Sequence, residues 1–253
     1  MSLIISVHSF RGGTGKSNTT ASLAALLAQD GRRVGVIDTD IQSPGIHVLF
    51  GLDEEEMKYA LNDYLWGDCT IEQAAVDVTD RLGPSIKGRI FLIPSSLKAG
   101  EIARVLREGY DMGLLSDGFQ ELVSGLSLDV LLIDTHPGLN EETLLSIAIS
   151  DALALIMRPD SQDYQGTGVT VDVAQKLGVP RLLLVVNKVP AAFSEAGVLQ
   201  RVQETYNCEV GAVLPHSDEM MTLASSDIFA LRFPDHLVTK RLRALADRLV
   251  AEE

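Results

Sequence analysis

The chain has 253 residues, of which 46% are hydrophobic, enough for one sizeable core and for one large α/β domain over residues 1–253 rather than two small ones. Its net charge of -14 repels DNA and anionic membranes on average, so contact with either requires a local basic patch. Two cysteines far apart, Cys69 and Cys208, form no CxxC or Cys/His cluster, which argues against a zinc or iron–sulfur site within one chain and fits reduced thiols in a cytoplasmic protein.

Residues 3–10 (LIISVHSF) form an apolar run that predicts a buried strand, too short for a signal peptide. From Asn18 to Asp30 the apolar residues fall at helical spacing, and Gly31 supplies a stop. Residues 33–40 (RVGVIDTD) predict a strand ending in acids. A helix follows over 54–66, then a strand over 89–94 and helices over 97–108 and 116–125. Beyond these the spacing predicts strand 129–135, helix 141–149, strand 152–158 and helix 166–177. The chain closes with strand 181–188, helix 195–205, strand 210–215 and helix 237–251. No apolar stretch reaches the ~20 residues of a membrane helix. The strand runs are near-continuous rather than alternating, as in parallel strands covered on both faces. Strand–helix alternation therefore predicts a doubly wound, mostly parallel sheet with helices on both faces. Ligands of such sheets bind beyond the C-terminal strand ends. Polar motifs stand at those places, after Phe10, Ile37, Ile133, Val186 and Leu214.

The first motif is VHSFRGGTGKSNTT, residues 7–20. Gly15-Lys16-Ser17 fits the end of a phosphate-binding loop, but Phe10 stands where the first glycine belongs and Arg11-Gly12-Gly13 follows. Gly12, Gly13 and Gly15 let backbone N–H groups turn toward phosphate oxygens, and a helix starting near Lys16 aims its positive end at the same place. Thr14 and Asn18 flank this cradle. Lys16 supplies charge to the β- and γ-phosphates, and Ser17 is a Mg²⁺ ligand. Asp38 and Asp40, spaced i and i+2, are expected to leave one face of an extended chain. Asp134 ends the run DVLLID, a hydrophobic strand followed by an acid. One such acid holds Mg²⁺ and another orients the attacking water. Asn187 and the turn near Pro215 are candidates for a base pocket.

These motifs resemble the MinD/ParA family of deviant-Walker-A P-loop ATPases, and the likeness runs along nearly the whole chain. The loop Arg11-Gly12-Gly13-Thr14-Gly15-Lys16-Ser17 is similar to the family's K-G-G-x-G-K-S/T. Asp38-Thr39-Asp40 is similar to its D-x-D, and Ile133-Asp134-Thr135 to its Walker B strand. GDCTIEQA (67–74) and FLIPSS (91–96) resemble the MinD branch. The resemblance implies a slow, partner-stimulated ATPase with ATP/ADP and Mg²⁺ as cofactors. Lys16 and the loop amides would hold phosphates, Ser17, Asp38 and Asp134 the metal, and Asp40 the water. It also implies an ATP-dependent homodimer in which Arg11, replacing the usual lysine, reaches the partner's phosphates; Arg158 is a second cation for that seam. His136 reads either as a γ-phosphate sensor or as a packed or solvated histidine.

The resemblance leaves the surface acted upon open. The C-terminal end lacks the bulky apolar tail of MinD-like proteins, which makes direct membrane attachment an unfavoured expectation. Lys240, Arg241, Arg243, Arg248 and Arg232 form a basic patch suited to non-specific DNA contact, or else a solvated helix face. The expected role is a positioning, partitioning or partner-recruiting switch with an activating or cargo protein not named by the sequence. The alternatives are a non-hydrolysing ATP-dependent scaffold, a DNA-associated partition protein, or a metallocluster carrier, for which Cys69 and Cys208 match no known seam pattern.

Overall fold

The computed structural model describes residues 2–251. One eight-stranded sheet runs in the order β3-β4-β2-β5-β1-β6-β7-β8. The strands are β1 (Leu3–His8), β2 (Arg33–Asp38), β3 (Val76–Asp77), β4 (Arg89–Ile93), β5 (Val130–Asp134), β6 (Ala152–Met157), β7 (Arg181–Val189) and β8 (Glu209–Pro215). Every pairing is parallel except β3 on β4, which is antiparallel at one edge. The doubly wound sheet expected from the continuous apolar runs is therefore present. The two-residue β3 carries no such run and is not legible in the sequence.

Side chains alternate across the strands, so each strand feeds two cores. Val34, Val36, Val130 and Leu132 join Ile5 and Val7 on one face, under the helices α1 (Lys16–Gln29) and α12 (Leu237–Leu249). Ile37, Leu131 and Ile133 face the other way. There they meet α3 (Leu61–Leu65), α4 (Ile71–Ala74) and α6 (Met112–Gly125), and α5 (Ala99–Glu108) adds Val105. Further along that face, α8 (Ser161–Leu177) and α9 (Glu195–Tyr206) cover β6 and β7, while α7 (Glu141–Ala148) contributes Ile147. Helix α1 is buried nearly all round because Thr19, Ala21, Ser22, Ala24, Ala25 and Ala28 are small enough for close approach. The short helices α2 (Ile46–Leu49), α10 (Asp218–Leu223) and α11 (Phe229–Arg232) complete the chain. No helix among the described residues is long and apolar enough to cross a membrane.

Three expectations need correction. Residues 54–66 are not one helix. Glu54–Glu56 forms a single 3-10 turn closed by the Glu56 carboxylate on the Asp53 amide, and α3 starts only at Leu61, whose amide donates to the Pro94 carbonyl at 2.8 Å. That long-range bond overrides local helix propensity. Second, β2 ends at Asp38, so Asp38 and Asp40 do not share a strand face. Third, much of the expected basic patch is engaged internally. Arg243 bonds the Leu26 carbonyl at 2.7 Å and Asp30 at 2.8 Å. Arg248 bonds the carbonyls of Val210 and Gly211 and the Glu209 carboxylate, and Arg241 bonds the Val213 carbonyl and Glu195. These arginines clamp α12 onto α1 and β8, so three of the five basic residues named for that end are paired within the chain.

Phe10, the residue in the place of a loop glycine, packs on α8 where Gly166 has no side chain. A Cβ at Gly166 would lie 1.9 Å from the Phe10 ring. Gly166→Ala is therefore expected to destabilise the protein by about 1–3 kcal/mol through overpacking. The thermal midpoint should fall by ~2–4 °C per kcal/mol, and adding Phe10→Ala should recover part of the loss. An unchanged midpoint in Gly166→Ala would show that the ring moves aside freely.

Candidate functional site

The loop after β1 opens a cavity of about 490 Å³ at the C-terminal edge of the sheet. Gly12, Gly13, Gly15, Lys16, Ser17 and Asn18 form one wall. Asp40, Ser43 and Gly45, after β2, form a second, and His136 and Pro137, after β5, a third. Lys188 and Ser225 close the far side. Gly13 has φ 74° and Gly15 φ 100°, a left-handed backbone that only glycine adopts without strain. The N-terminus of α1 has no side-chain cap. Its first amides and the helix dipole are thus open to an anion, with Lys16 beside them.

The two inner acids sit beneath this cradle. Asp38 and Asp134 are register partners on β2 and β5, each no more than 2% exposed. Asp38 accepts from the amides of Asp40 at 2.9 Å and Gly45 at 3.2 Å. Burial, then the charge of Asp134, hold its pKa well above the usual carboxylate range. Burial likewise raises Asp134 to about 6, opposed by the Lys16 charge and by the Ser17 and Thr20 hydroxyls. Two neighbouring buried carboxylates, short of positive charge and next to a serine hydroxyl, are a donor set that fits a hard divalent cation such as Mg²⁺.

The remaining residues fall as follows. Asp40 lines the cavity, and its Oδ1 lies 2.6 Å from Nδ1 of His136. Thr14 is buried, and its carbonyl accepts from Asn187 Nδ2 at 2.8 Å. The Asn187 Oδ1 accepts from the Lys188 amide, so Asn187 is seen bracing the loop. Neither Asn187 nor Pro215 is among the residues lining the cavity. Arg11 also lies outside it, donating to Asp163 at 3.3 Å with Asp160 at 3.6 Å. Arg158 pairs with the same two acids of its own chain.

Sequence reasoning missed Lys188, Ser43, Gly45 and Ser225. Lys188 has φ 57°, and its ammonium donates to the Gly13 carbonyl at 2.8 Å. Its position after Asn187 at a strand end was the available signal. His8 is a further buried polar residue near the loop. It is fully buried on β1 with Nδ1 2.7 Å from the Thr135 hydroxyl, and burial, Lys16 and His136 push its pKa down to about 3.

The acid pair has a consequence for stability. A carboxyl whose folded pKa exceeds its unfolded value of about 4 favours folding below that value, and loses this contribution as pH rises through the folded pKa. Nucleotide-free protein should therefore lose stability between about pH 4 and 7, a window set by Asp134. Asp38→Asn removes one of the two charges. Its thermal midpoint relative to wild type should rise steadily across that range, by a few degrees in all. A difference that stays flat with pH would mean that the pair carries no such strain.

Comparisons with known proteins bear on the family and the fold. The ParA family profile, described as an NUBPL iron-transfer P-loop NTPase, matches residues 1–250. An ATP-binding protein of Methanocaldococcus jannaschii is 26% identical over 251 residues, covering 99% of this chain and 88% of its own. An iron–sulfur cluster carrier protein of Pyrococcus horikoshii is 29% identical over 188 residues, covering 72% of this chain and 60% of its own. Among solved structures, the septum site-determining protein MinD of Pyrococcus horikoshii, complexed with Mg-ADP, superposes with a TM-score of 0.79. The identity is 22%, and the match covers 99% of this chain and 96% of that one, a likeness that speaks to the fold. With a family match along almost its entire length and a glycine-built phosphate cradle over two buried acids, the chain belongs to the ParA family of P-loop NTPases.

Proposed function

We propose that this protein is a Mg²⁺-dependent ATPase that acts as an ATP-driven dimerisation switch in the cytoplasm, recruiting or positioning a partner protein. The observation that carries the reading is the uncapped start of α1 with Lys16, set directly over the buried pair Asp38 and Asp134. In this reading the amides of Gly12–Ser17 and the Lys16 ammonium bind the β- and γ-phosphates. Asn18, at the cavity wall, and Asn187 behind Thr14 keep the loop in register with the rest of the nucleotide, near the turn at Pro215. Ser17, Asp38 and Asp134 hold Mg²⁺, which neutralises charge on the phosphate oxygens. Asp40 accepts a hydrogen bond from water and aligns it with the γ-phosphorus. The water oxygen forms the new P–O bond while the bridging β–γ oxygen leaves with ADP.

Arg11 has a separate task. In the single chain its guanidinium is bound to Asp163 and Asp160. Contact with a second ATP-loaded copy offers it a phosphate in place of those carboxylates, and its planar fork suits bidentate phosphate recognition. Hydrolysis then releases the dimer and, with it, the partner.

Metallocluster transfer is a second reading, favoured by the description of the matching family and by the cluster-carrier relative. It needs thiolates that two copies can share. Cys69 packs beside the core around Tyr64 and Phe119, whereas Cys208 packs in the cluster under α8 and α9. Burial, with Asp63 and Asp68, pushes the Cys69 thiol up to about 11, and burial also raises Cys208.

Phosphate release from Mg-ATP tests the enzyme reading. Lys16→Gln is expected to lower turnover by about 100-fold, the scale of one preorganised charge at a phosphoryl site. Asp40→Ala should bind nucleotide within about 2-fold of wild type yet lose turnover, the mark of a group that acts in the transition state. Equal turnover in wild type and Lys16→Gln would overturn the reading. Visible charge-transfer absorbance after anaerobic iron–sulfur reconstitution, lost in Cys69→Ser or Cys208→Ser, would favour the second.

A further inference from the structure

His136 and Asp40 enter the cavity from different loops, after β5 and after β2, yet their side chains meet at 2.6 Å. A carboxylate oxygen only accepts, so the His136 Nδ1 carries the proton in this contact. The same Asp40 Oδ1 accepts from the Ser43 amide at 3.1 Å. That oxygen is thus bonded twice. Among the described residues no protein group bonds Asp40 Oδ2, and Asp40 is one of the residues that line the cavity. The two side chains are only 20% and 16% exposed, so bulk water competes weakly for the contact.

The support behind the imidazole is also fixed. The His136 carbonyl accepts from the Thr143 hydroxyl at 3.3 Å, tying it to the first turn of α7. Two residues on, the Gly138 amide donates to the Ser9 carbonyl at 3.1 Å, tying the same turn to the phosphate loop. The Asp40 amide is tied to Asp38 at 2.9 Å, but among the described residues its carboxylate is held only by His136 and by the Ser43 amide. Without the imidazole its carboxylate would be held by the single Ser43 amide.

From this geometry we infer that His136 is a positioning residue: its Nδ1–H locks one oxygen of Asp40 across the cavity, so that the other is presented to the attacking water. The inference rests on the reading of Asp40 as the acid that orients that water. Misplacing such a group lowers turnover without weakening ground-state binding.

The test uses the full chain with Mg-ATP and two variants. His136→Asn keeps an N–H donor about where Nδ1 stands, and His136→Leu fills the space without one. His136→Leu is expected to lower kcat about tenfold or more while nucleotide affinity stays within about 2-fold, and His136→Asn to retain most of the wild-type kcat. Undiminished kcat in His136→Leu, or an Asn variant no better than the Leu variant, overturns the inference. A second arm needs no hydrolysis. Imidazole ¹⁵N spectra of nucleotide-free protein should show an Nδ1-protonated ring that is absent from His136→Asn and shifts in Asp40→Ala. If the wild type hydrolyses no ATP, the ATPase reading falls and this arm alone decides the tether. A His136 signal unmoved by Asp40→Ala then refutes it.

Discussion

Asp38 and Asp134 stand side by side at the ends of β2 and β5, shut off from water, with the charge of Lys16 set against that of Asp134. Like charges in a low-dielectric setting repel strongly, and burial disfavours each even alone. The arrangement is costly to an empty protein, and in the proposed reading a divalent cation and its phosphate would relieve that cost. Much of the surrounding architecture follows from it. The sheet must be parallel, so that both acids emerge at the same edge as the phosphate loop. The loop must be glycine-built, so that its amides and α1 can approach from above. Thr20 must project back from α1 to donate to Asp134, as it does at 3.2 Å.

The loop is held from the opposite half of the sheet. Asn187 and Lys188, at the end of β7, bond the carbonyls of Thr14 and Gly13. Phe10 docks on Gly166 of α8, and Arg11 on Asp163 of the same helix. The phosphate loop is therefore stitched to β7 and α8, while the acids belong to β2 and β5. The cavity lies between two sets of elements joined through β1, an arrangement in which a bound nucleotide can be sensed by both. The Asp40–His136 pair lines that space, whereas Arg11 lies outside it on Asp163 of α8.

The sequence disclosed the parallel sheet because seven strands are unbroken apolar runs, and it disclosed the phosphate loop because few other residues than glycine tolerate its backbone. What it hid depended on contacts between distant segments. The break in residues 54–66 is made by Pro94, and β3 by pairing with two residues of β4. Asp40 looked like a strand residue because alternation continues past the true end of β2. The basic end of the chain looked free because a residue count does not show that Arg241, Arg243 and Arg248 face carbonyls and carboxylates of their own chain. His136 offered two readings, and a third partner, Asp40, became visible only when the two loops were brought together.

The central claim is that ATP brings two copies of this chain together, and solution mass reads that most directly. Light scattering on Asp40→Ala, which should bind ATP without consuming it, is the measurement to make with and without Mg-ATP. The account predicts that mass doubles with Mg-ATP and that a further Arg11→Ala substitution abolishes the doubling. A mass that does not respond, in protein shown to bind ATP, would contradict the switch and leave a nucleotide-binding protein that works as a monomer or a constant assembly.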